Sequence, residues 1–413
     1  MMRVAIHERQ READDLERET LDCRVDAPLP LGRSTLAQTL QSLVQSPVWK
    51  ESTDPGERSE SPIAEAAAAD YTPPDSSIGG TVPQGVMQPG TVSNAEVLER
   101  GWAALPESYR IPPTVPTLEE ARAYCQRLAE SHYENFHVAS WFLPKALRPH
   151  FHAIYAYCRI SDDLGDEVGG RDEALALLGV WGEELDACYA GTARHPVFVA
   201  LTETIRECSI PKQPFADLLI AFRQDQTVTR YQTMEDVLAY CRYSANPVGR
   251  LVLYACGEAD EEKFRLSDAT CSALQLANFW QDVREDFARG RVYLPQRDME
   301  FFQVSDETIA DHLATPGFRG LMRTEVAYAR GLFQQGLPLI GMVNRELALD
   351  LDLFSRGGME ILRAIERRDY DVLSARPSIS KLSKAGLLLR AVCAKVFPAL
   401  SLGKSRLRTE PAD

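Results

Sequence analysis

The chain has 413 residues, 45% of them hydrophobic and 25% charged, which suits one large soluble domain or two ordinary ones. Its formal net charge of −15 excludes general nucleic-acid binding, which depends on Lys and Arg neutralising phosphates. A small phosphorylated substrate stays compatible, because local arginines or bound cations supply positive charge where it is needed.

Residues 1–95 differ in character from the rest of the chain. Up to Arg100 there are 17 acidic residues against 9 basic ones, so about a quarter of the chain carries about half of the net charge. Trp49 and Tyr71 are its only aromatic residues, and Pro73-Pro74-Asp75-Ser76-Ser77 and Gly79-Gly80-Thr81-Val82-Pro83 are loop chemistry. Such a segment buries too little apolar surface to offset its ordering entropy. It reads as a disordered, acidic, Pro-rich extension, with Ser34 to Trp49 its one candidate for a short helix. Met1 to Gln10 has no sustained apolar run, so no secretory leader is expected.

A helical domain is expected over residues 96–403. Thr117 is a candidate N-cap, with Glu119 and Glu120 in the first turn. His132 to Ser140 reads as a bend. Pro144 opens the next helix, which runs through Phe151, Tyr155 and Cys158 to an acidic cluster and ends near Gly169-Gly170. Helical runs continue at Asp172 to Ala190, Pro196 to Cys208, Lys212 to Arg230 and Met234 to Tyr243. Later ones cover Ser305 to Leu313, Phe318 to Leu339 and Leu347 to Arg368. No run of alternating strands, hairpin turn, P-loop or dinucleotide fingerprint is present, so the fold class is all-α, helices packed around a central cavity.

Two acidic clusters carry the chemistry. Asp162 and Asp166 share a helix face with Tyr155 and Arg159. Asn278, Asp282 and Asp286, four residues apart, form one stripe of a second helix, with Leu276, Phe279 and Val283 beside it and Gly290 as its stop. One such stripe alone is most simply a solvated face. Two carboxylate pairs facing each other across a cavity are different, since unpaired they repel and resist ionisation. Mg²⁺ resolves the conflict, because it takes oxygen ligands and commonly bridges one or two carboxylates to phosphate oxygens. The ions would attract a diphosphate and stabilise it as a leaving group, with Arg159 and Arg291 as further phosphate ligands. A carbocation left on an apolar chain is stabilised by ring faces, and Phe136, Tyr155, Tyr240, Phe279 and Tyr293 are candidates, each equally readable as core.

These motifs resemble the squalene and phytoene synthases over about Thr117 to Pro377. The matching strings are Tyr-x-x-x-Arg-x-x-Asp-Asp-x-x-Asp at 155 to 166, Gln-x-x-Asn-x-x-x-Asp-x-x-x-Asp at 275 to 286, and Gly-Arg-Val-Tyr-Leu-Pro at 290 to 295. The resemblance implies a prenyl synthase-like helical bundle in which Asp162, Asp166, Asn278, Asp282 and Asp286 hold Mg²⁺ and diphosphate. It implies that Tyr155, Arg159, Gln275, Arg291 and Tyr293 line the same site, that Tyr240, Val248 and Gly249 admit the prenyl chain, and that Arg376 lies near the diphosphate.

Two departures narrow the expectation. Where condensing members carry a Ser-Lys-Ser-Phe-like string, this chain reads Tyr133-Glu134-Asn135-Phe136, with an acid in place of the lysine. Where many read Ala-Gly-Thr-Val-Gly, it reads Ser244-Ala245-Asn246-Pro247-Val248-Gly249-Arg250. Both strings look like the bacterial hydroxysqualene synthase branch, which takes presqualene diphosphate, releases diphosphate and captures the rearranged cation with water, feeding squalene and hopanoid synthesis. An enzyme with one diphosphate substrate has no need of the second diphosphate's lysine. Phe136 and Arg250 join the candidate substrate-binding residues, Arg250 being equally readable as a surface or capping residue. The rivals are a presqualene diphosphate or phytoene synthase, which condenses two prenyl diphosphates, and a non-catalytic assembly factor that keeps the fold.

The nine cysteines show no C-x-x-C pair and read as reduced, small apolar residues, which fits the cytoplasm. The histidines read as polar or packing groups rather than metal ligands. Lys381 to Arg408 mixes basic and apolar residues, consistent either with an interfacial helix touching the inner face of the cytoplasmic membrane or with a basic outer helix. Residues 404–413 read as a C-terminal tail. Oligomeric state has no sequence signal.

Overall fold

The computed structural model describes residues 93–131 and 144–379. The expected helix at Ser34 to Trp49, the bend at His132 to Ser140 with Glu134 and Phe136, and the basic stretch from Lys381 lie outside the described residues.

In chain order the helices are α1 (Asn94–Ala103), α2 (Leu118–Ser131), α3 (Arg148–Asp166), α4 (Arg171–Ala190), α5 (Pro196–Cys208), α6 (Gln213–Gln224), α7 (Met234–Ser244), α8 (Asn246–Ala255), α9 (Glu261–Gln281), α10 (Val283–Ala288), α11 (Gln296–Phe301), α12 (Asp306–Ala310), α13 (Pro316–Gly336) and α14 (Arg345–Arg367). Among the described residues the only β-type pairing is one isolated bridge between Arg230 and Val292.

Local chemistry explains the starts. Thr117 accepts from the Glu120 backbone N–H and Glu120 reaches back to Thr117, so α2 begins where its cap predicts. Ser93 and Glu96 make the same box at α1, two residues inside the segment expected to be disordered. Asp260 caps α9 by accepting from the N–H groups of Glu262 and Lys263.

Some boundaries differ from expectation. The run expected from Lys212 to Arg230 stops at Gln224, and α8 had no separate sequence signal because it comes after α7 with a single residue, Ala245, between them. The largest difference concerns the second acidic stripe. Asn278 and Asp286 do not share one continuous helix: α9 ends at Gln281, Asp282 adopts φ −107° and ψ 15°, and α10 starts at Val283. The i to i−4 bonds nevertheless persist across the break, from Asp282 N–H to Asn278 C=O (3.0 Å) and from Asp286 N–H to Asp282 C=O (2.8 Å). The stripe therefore survives as a kinked column.

Two apolar cores flank that column. One, built around Tyr157, Trp181, Phe198 and Phe215, joins α1 to α6. The other, around Trp280, Phe318, Phe333 and Ile365, joins the C-terminal half of α9 to α13 and α14. Burying each of these large side chains stabilises the fold by roughly 2–3 kcal/mol. The first core fixes the end of α3 and the second fixes α9, so the two acidic segments are each held by separate packed bodies that meet at the site.

Candidate active site

Five of the acidic motif side chains lie at this junction. Asp162, Asp163, Asp282 and Asp286 are buried, and Asp166 is nearly so. Buried carboxylates are costly unless paired, and arginines pair three of them. Arg159 forks onto Asp163 through Nε (2.9 Å, to Oδ2) and Nη2. Arg376, arriving from the segment after α14, forks onto Asp282 through Nε and Nη2 (3.2 Å to Oδ2), and its Nη2 also donates to Gln281 Oε1 at 3.1 Å. Arg291 Nη2 lies 3.4 Å from Asp166 Oδ1 and so joins the second motif to the first.

Electrostatics reflect this crowding. Burial pushes the Asp166 carboxyl above the usual carboxylate range, although Arg291 pulls it back. Burial would lower the Arg376 pKa, but Asp282, Glu285 and Asp286 raise it, so its charge is secure. Asn278 is fully buried on α9, and neither its Oδ1 nor its Nδ2 has a hydrogen-bond partner in the structure. An amide stranded in this way is costly unless a ligand completes it.

The donor set fits magnesium. It consists of oxygens from Asp162, Asp166, Asn278, Asp282 and Asp286, the type that a hard cation selects. Among the described residues no three carboxylate, imidazole or thiol groups converge on one point.

An aromatic wall borders the acids. Phe279 stacks on Tyr293 with ring centroids 3.7 Å apart and planes 7° apart. Tyr231 and Tyr240 extend the group, at 5.7 and 5.9 Å from Tyr293. A cleft beside it is lined by Phe279, Asp286, Arg291, Tyr293 and Ile309. Gly290, at φ +77°, ends α10 and turns the chain so that Arg291 points back toward Asp166. From there residues 292–297 run alongside residues 229–232: Val292 N–H donates to Thr229 C=O (2.8 Å), Gln296 N–H to Tyr231 C=O (3.0 Å) and Arg297 N–H to Gln232 C=O (3.1 Å).

The remaining candidates divide. Tyr155 is on α3 with its ring near Arg159 and Asp162, and Gln275 is buried on α9 one turn before Asn278. Tyr240 joins the aromatic wall. Val248 packs against the first core rather than the acids. Gly249 fits close against α9: a Cβ there would come within 2.3 Å of Ser267 Oγ and 2.6 Å of Cys271 Sγ. Arg250 is not brought to the aspartates. It forks onto Asp268 (3.1 and 2.6 Å) and lies 5.5 Å over the Phe264 ring, on the N-terminal half of α9. Asn246 accepts from Ser272 Oγ at 2.9 Å. The Ser244 to Arg250 string thus acts as a docking strip for α9, the helix that carries Asn278.

Sequence reasoning missed three groups. Asp163 had no assigned role, yet it is the anchor of Arg159. Tyr109 donates from Oη to Asp163 Oδ2 at 2.6 Å, and nothing in its Pro-rich surroundings signalled that. Asp225, just after α6, is buried, accepts from Tyr240 Oη at 3.0 Å, and has no partner for its Oδ1. Burial pushes its carboxyl up to about 7, opposed by Arg291 and the Tyr240 hydroxyl. The only sequence cue to it was an acid at the C-terminal end of a helical run, where a cation is the more favourable charge.

Comparison with known proteins gives the chain's relatives. The family model described as squalene/phytoene synthase matches residues 129–383. A chloroplastic phytoene synthase 3 of Zea mays is 30% identical over 298 residues, covering 70% of each chain. A phytoene synthase of Arthrospira platensis is 28% identical over 66% of this chain and 92% of its own. Among solved structures, the squalene synthase HpnC of Alicyclobacillus acidocaldarius is 48% identical, with TM-score 0.60, over 62% of this chain and 96% of that one. A dehydrosqualene synthase solved with a ligand is 25% identical, with TM-score 0.61, over 68% of this chain and 98% of that one.

Proposed function

The chain belongs to the squalene/phytoene synthase family, enzymes that act on prenyl diphosphates, and on that footing we propose that it converts presqualene diphosphate to hydroxysqualene and diphosphate with Mg²⁺. The observation that carries the finer reading is Glu134, an acid where condensing relatives keep a lysine for a second diphosphate. The described site is consistent with it, since its cations are Arg159, Arg291 and Arg376. Two of the three lysines in the described residues, Lys212 and Lys263, pair elsewhere, with Asp186 and Glu258. The 48% identity to a squalene synthase, against 28–30% for the phytoene synthases, also favours a squalene-side product.

Asp162, Asp166, Asn278, Asp282 and Asp286 would hold the magnesium. Bound there, it would neutralise the clustered carboxylates and stabilise the leaving diphosphate. Arg291 and Arg376, released from Asp166 and Asp282, turn toward phosphate oxygens, for which a planar fork is suited. The aromatic group of Phe279, Tyr293, Tyr240 and Tyr231 borders the carbocation and keeps it from the carboxylates, the stacked faces of Phe279 and Tyr293 being taken by each other. Water then adds to the cation and loses a proton.

The test is to incubate the purified chain separately with farnesyl diphosphate and with presqualene diphosphate, each with Mg²⁺. Hydroxysqualene from the second alone is the expected result. Turnover of farnesyl diphosphate alone overturns the reading in favour of the second one, head-to-head condensation, which the likeness to phytoene synthases favours.

A further inference from the structure

From the buried chain of contacts Tyr109–Asp163–Arg159 we infer that Tyr109, which lies upstream of the family-matched residues 129–383, is a positioning residue for the diphosphate site. It comes after α1 in the short 3₁₀ turn Glu107–Tyr109 and is 5% exposed. Its hydroxyl spans 54 residues of sequence to reach Asp163 Oδ2. That same oxygen accepts from Arg159 Nε, and the other carboxylate oxygen accepts from Arg159 Nη2.

Asp163 alone has freedom about its last torsion, because a carboxylate on a short side chain is held only by what it bonds. The two bonds from Arg159 tie two side chains of the same helix, α3, to each other. The Tyr109 hydroxyl adds a contact from a different segment of the chain. With it the guanidinium is set near Asp162, whose charge Arg159 also feels. Burial, and after it the Asp163 charge, pushes the Tyr109 hydroxyl well above the ordinary phenol range, so it stays a donor at any working pH. A buried donor aimed at a charged acceptor is among the stronger hydrogen bonds.

The fold supports the same conclusion. Trp102, Leu105 and Tyr109 are buried in the first core, and α1 packs on α4. The segment before α2 is therefore a wedge that delivers one hydroxyl to the acidic end of α3. Asp163 sits between two residues expected to bind the cation, and its oxygens accept from Tyr109 and Arg159. It serves the site through the arginine and not as a ligand.

This inference rests on the diphosphate reading of the site. The test is isothermal titration of the full-length chain with inorganic pyrophosphate at saturating Mg²⁺, for wild type, Tyr109→Phe, Arg159→Lys and the double variant. Lysine cannot form the planar fork, so in its presence Tyr109 has nothing to orient. Tyr109→Phe is expected to weaken pyrophosphate binding about tenfold with unchanged stoichiometry, and the double variant to bind no worse than Arg159→Lys. Binding within twofold of wild type, losses that multiply in the double variant, or a drop in stoichiometry at constant affinity would each overturn the positioning role. The last of these would reveal a merely structural tyrosine. If the wild-type chain does not bind pyrophosphate, the diphosphate reading itself falls first.

Discussion

Arg291 and Asp166 lie 125 residues apart in sequence and 3.4 Å apart in space, Nη2 to Oδ1. This contact joins the loop after α10 to the end of α3, and so links the two acidic motifs. It is partly buried, and removing one partner of such a pair leaves a charge with poor solvation. Arg291→Ala is expected to lower kcat/KM for presqualene diphosphate by roughly 100-fold, with Arg291→Lys intermediate because one charge remains but the fork is lost. Steady-state kinetics of the two variants check this, and equal rates for both would remove Arg291 from the site.

Asp282 stands at the break between α9 and α10 and is fully buried. Asp282→Asn keeps its shape and a partner for Arg376 but removes the charge that a cation needs. Turnover is expected to fall by roughly 100-fold or more while the thermal transition remains cooperative. Full activity with Mg²⁺ in this variant would contradict the metal assignment.

Removing divalent cations with a chelator is expected to abolish turnover of the wild-type chain, and added Mg²⁺ to restore it. The same titration monitored by melting temperature should show Mg²⁺ stabilising the protein, because clustered carboxylates are relieved of repulsion when the ion binds. A melting temperature that ignores Mg²⁺ would be at odds with the stranded Asn278 amide being part of the cation and diphosphate site.

Asp225 predicts a pH dependence. Its carboxyl is raised from 3.8 to about 7 by burial. Between those values the folded chain holds a proton that the unfolded chain has lost, so this group makes stability fall as pH rises from about 4 to about 7 and level off above. Asp225→Asn removes that slope, worth at most ~4 kcal/mol for a shift of this size. Melting curves of the magnesium-free protein across that range check it. An unchanged slope would show that Arg291 keeps Asp225 ionised.

Gly249 faces Ser267 and Cys271 across the α8–α9 contact. Gly249→Ala places a methyl only 2.3 Å from the Ser267 hydroxyl and 2.6 Å from the Cys271 thiol, so those side chains or the helices must shift. A loss of roughly 1–3 kcal/mol is expected in denaturant unfolding, accompanied by lower turnover because α9 carries Asn278. Wild-type stability would show that Ser267 simply rotates away.

The helical class and both acidic motifs were legible because their signals are local. Four-residue spacing places Asp162 with Asp166 on one face, and capping chemistry at Thr117 starts α2 where it is seen. Asp163 was not legible: its spacing assigned it no role, and only its partners show that it anchors Arg159. Arg250 shows the converse: its neighbours in sequence suggested the site, while its ion pair is with Asp268, 18 residues on. The break at Asp282 was hidden because the i to i−4 bonds on either side of it continue. Tyr109 and Asp225 act through contacts between segments, which no periodicity encodes.

The backbone bonds joining residues 292–297 to residues 229–232 bear on traffic through the site. Three of them, with the Tyr231–Tyr293 stack, fasten the loop that carries Arg291 to the connection between α6 and α7. A flap must detach at one edge to swing, and this loop is sewn along its length. It is a doorpost rather than a door: moving it would break three backbone hydrogen bonds and an aromatic stack at once.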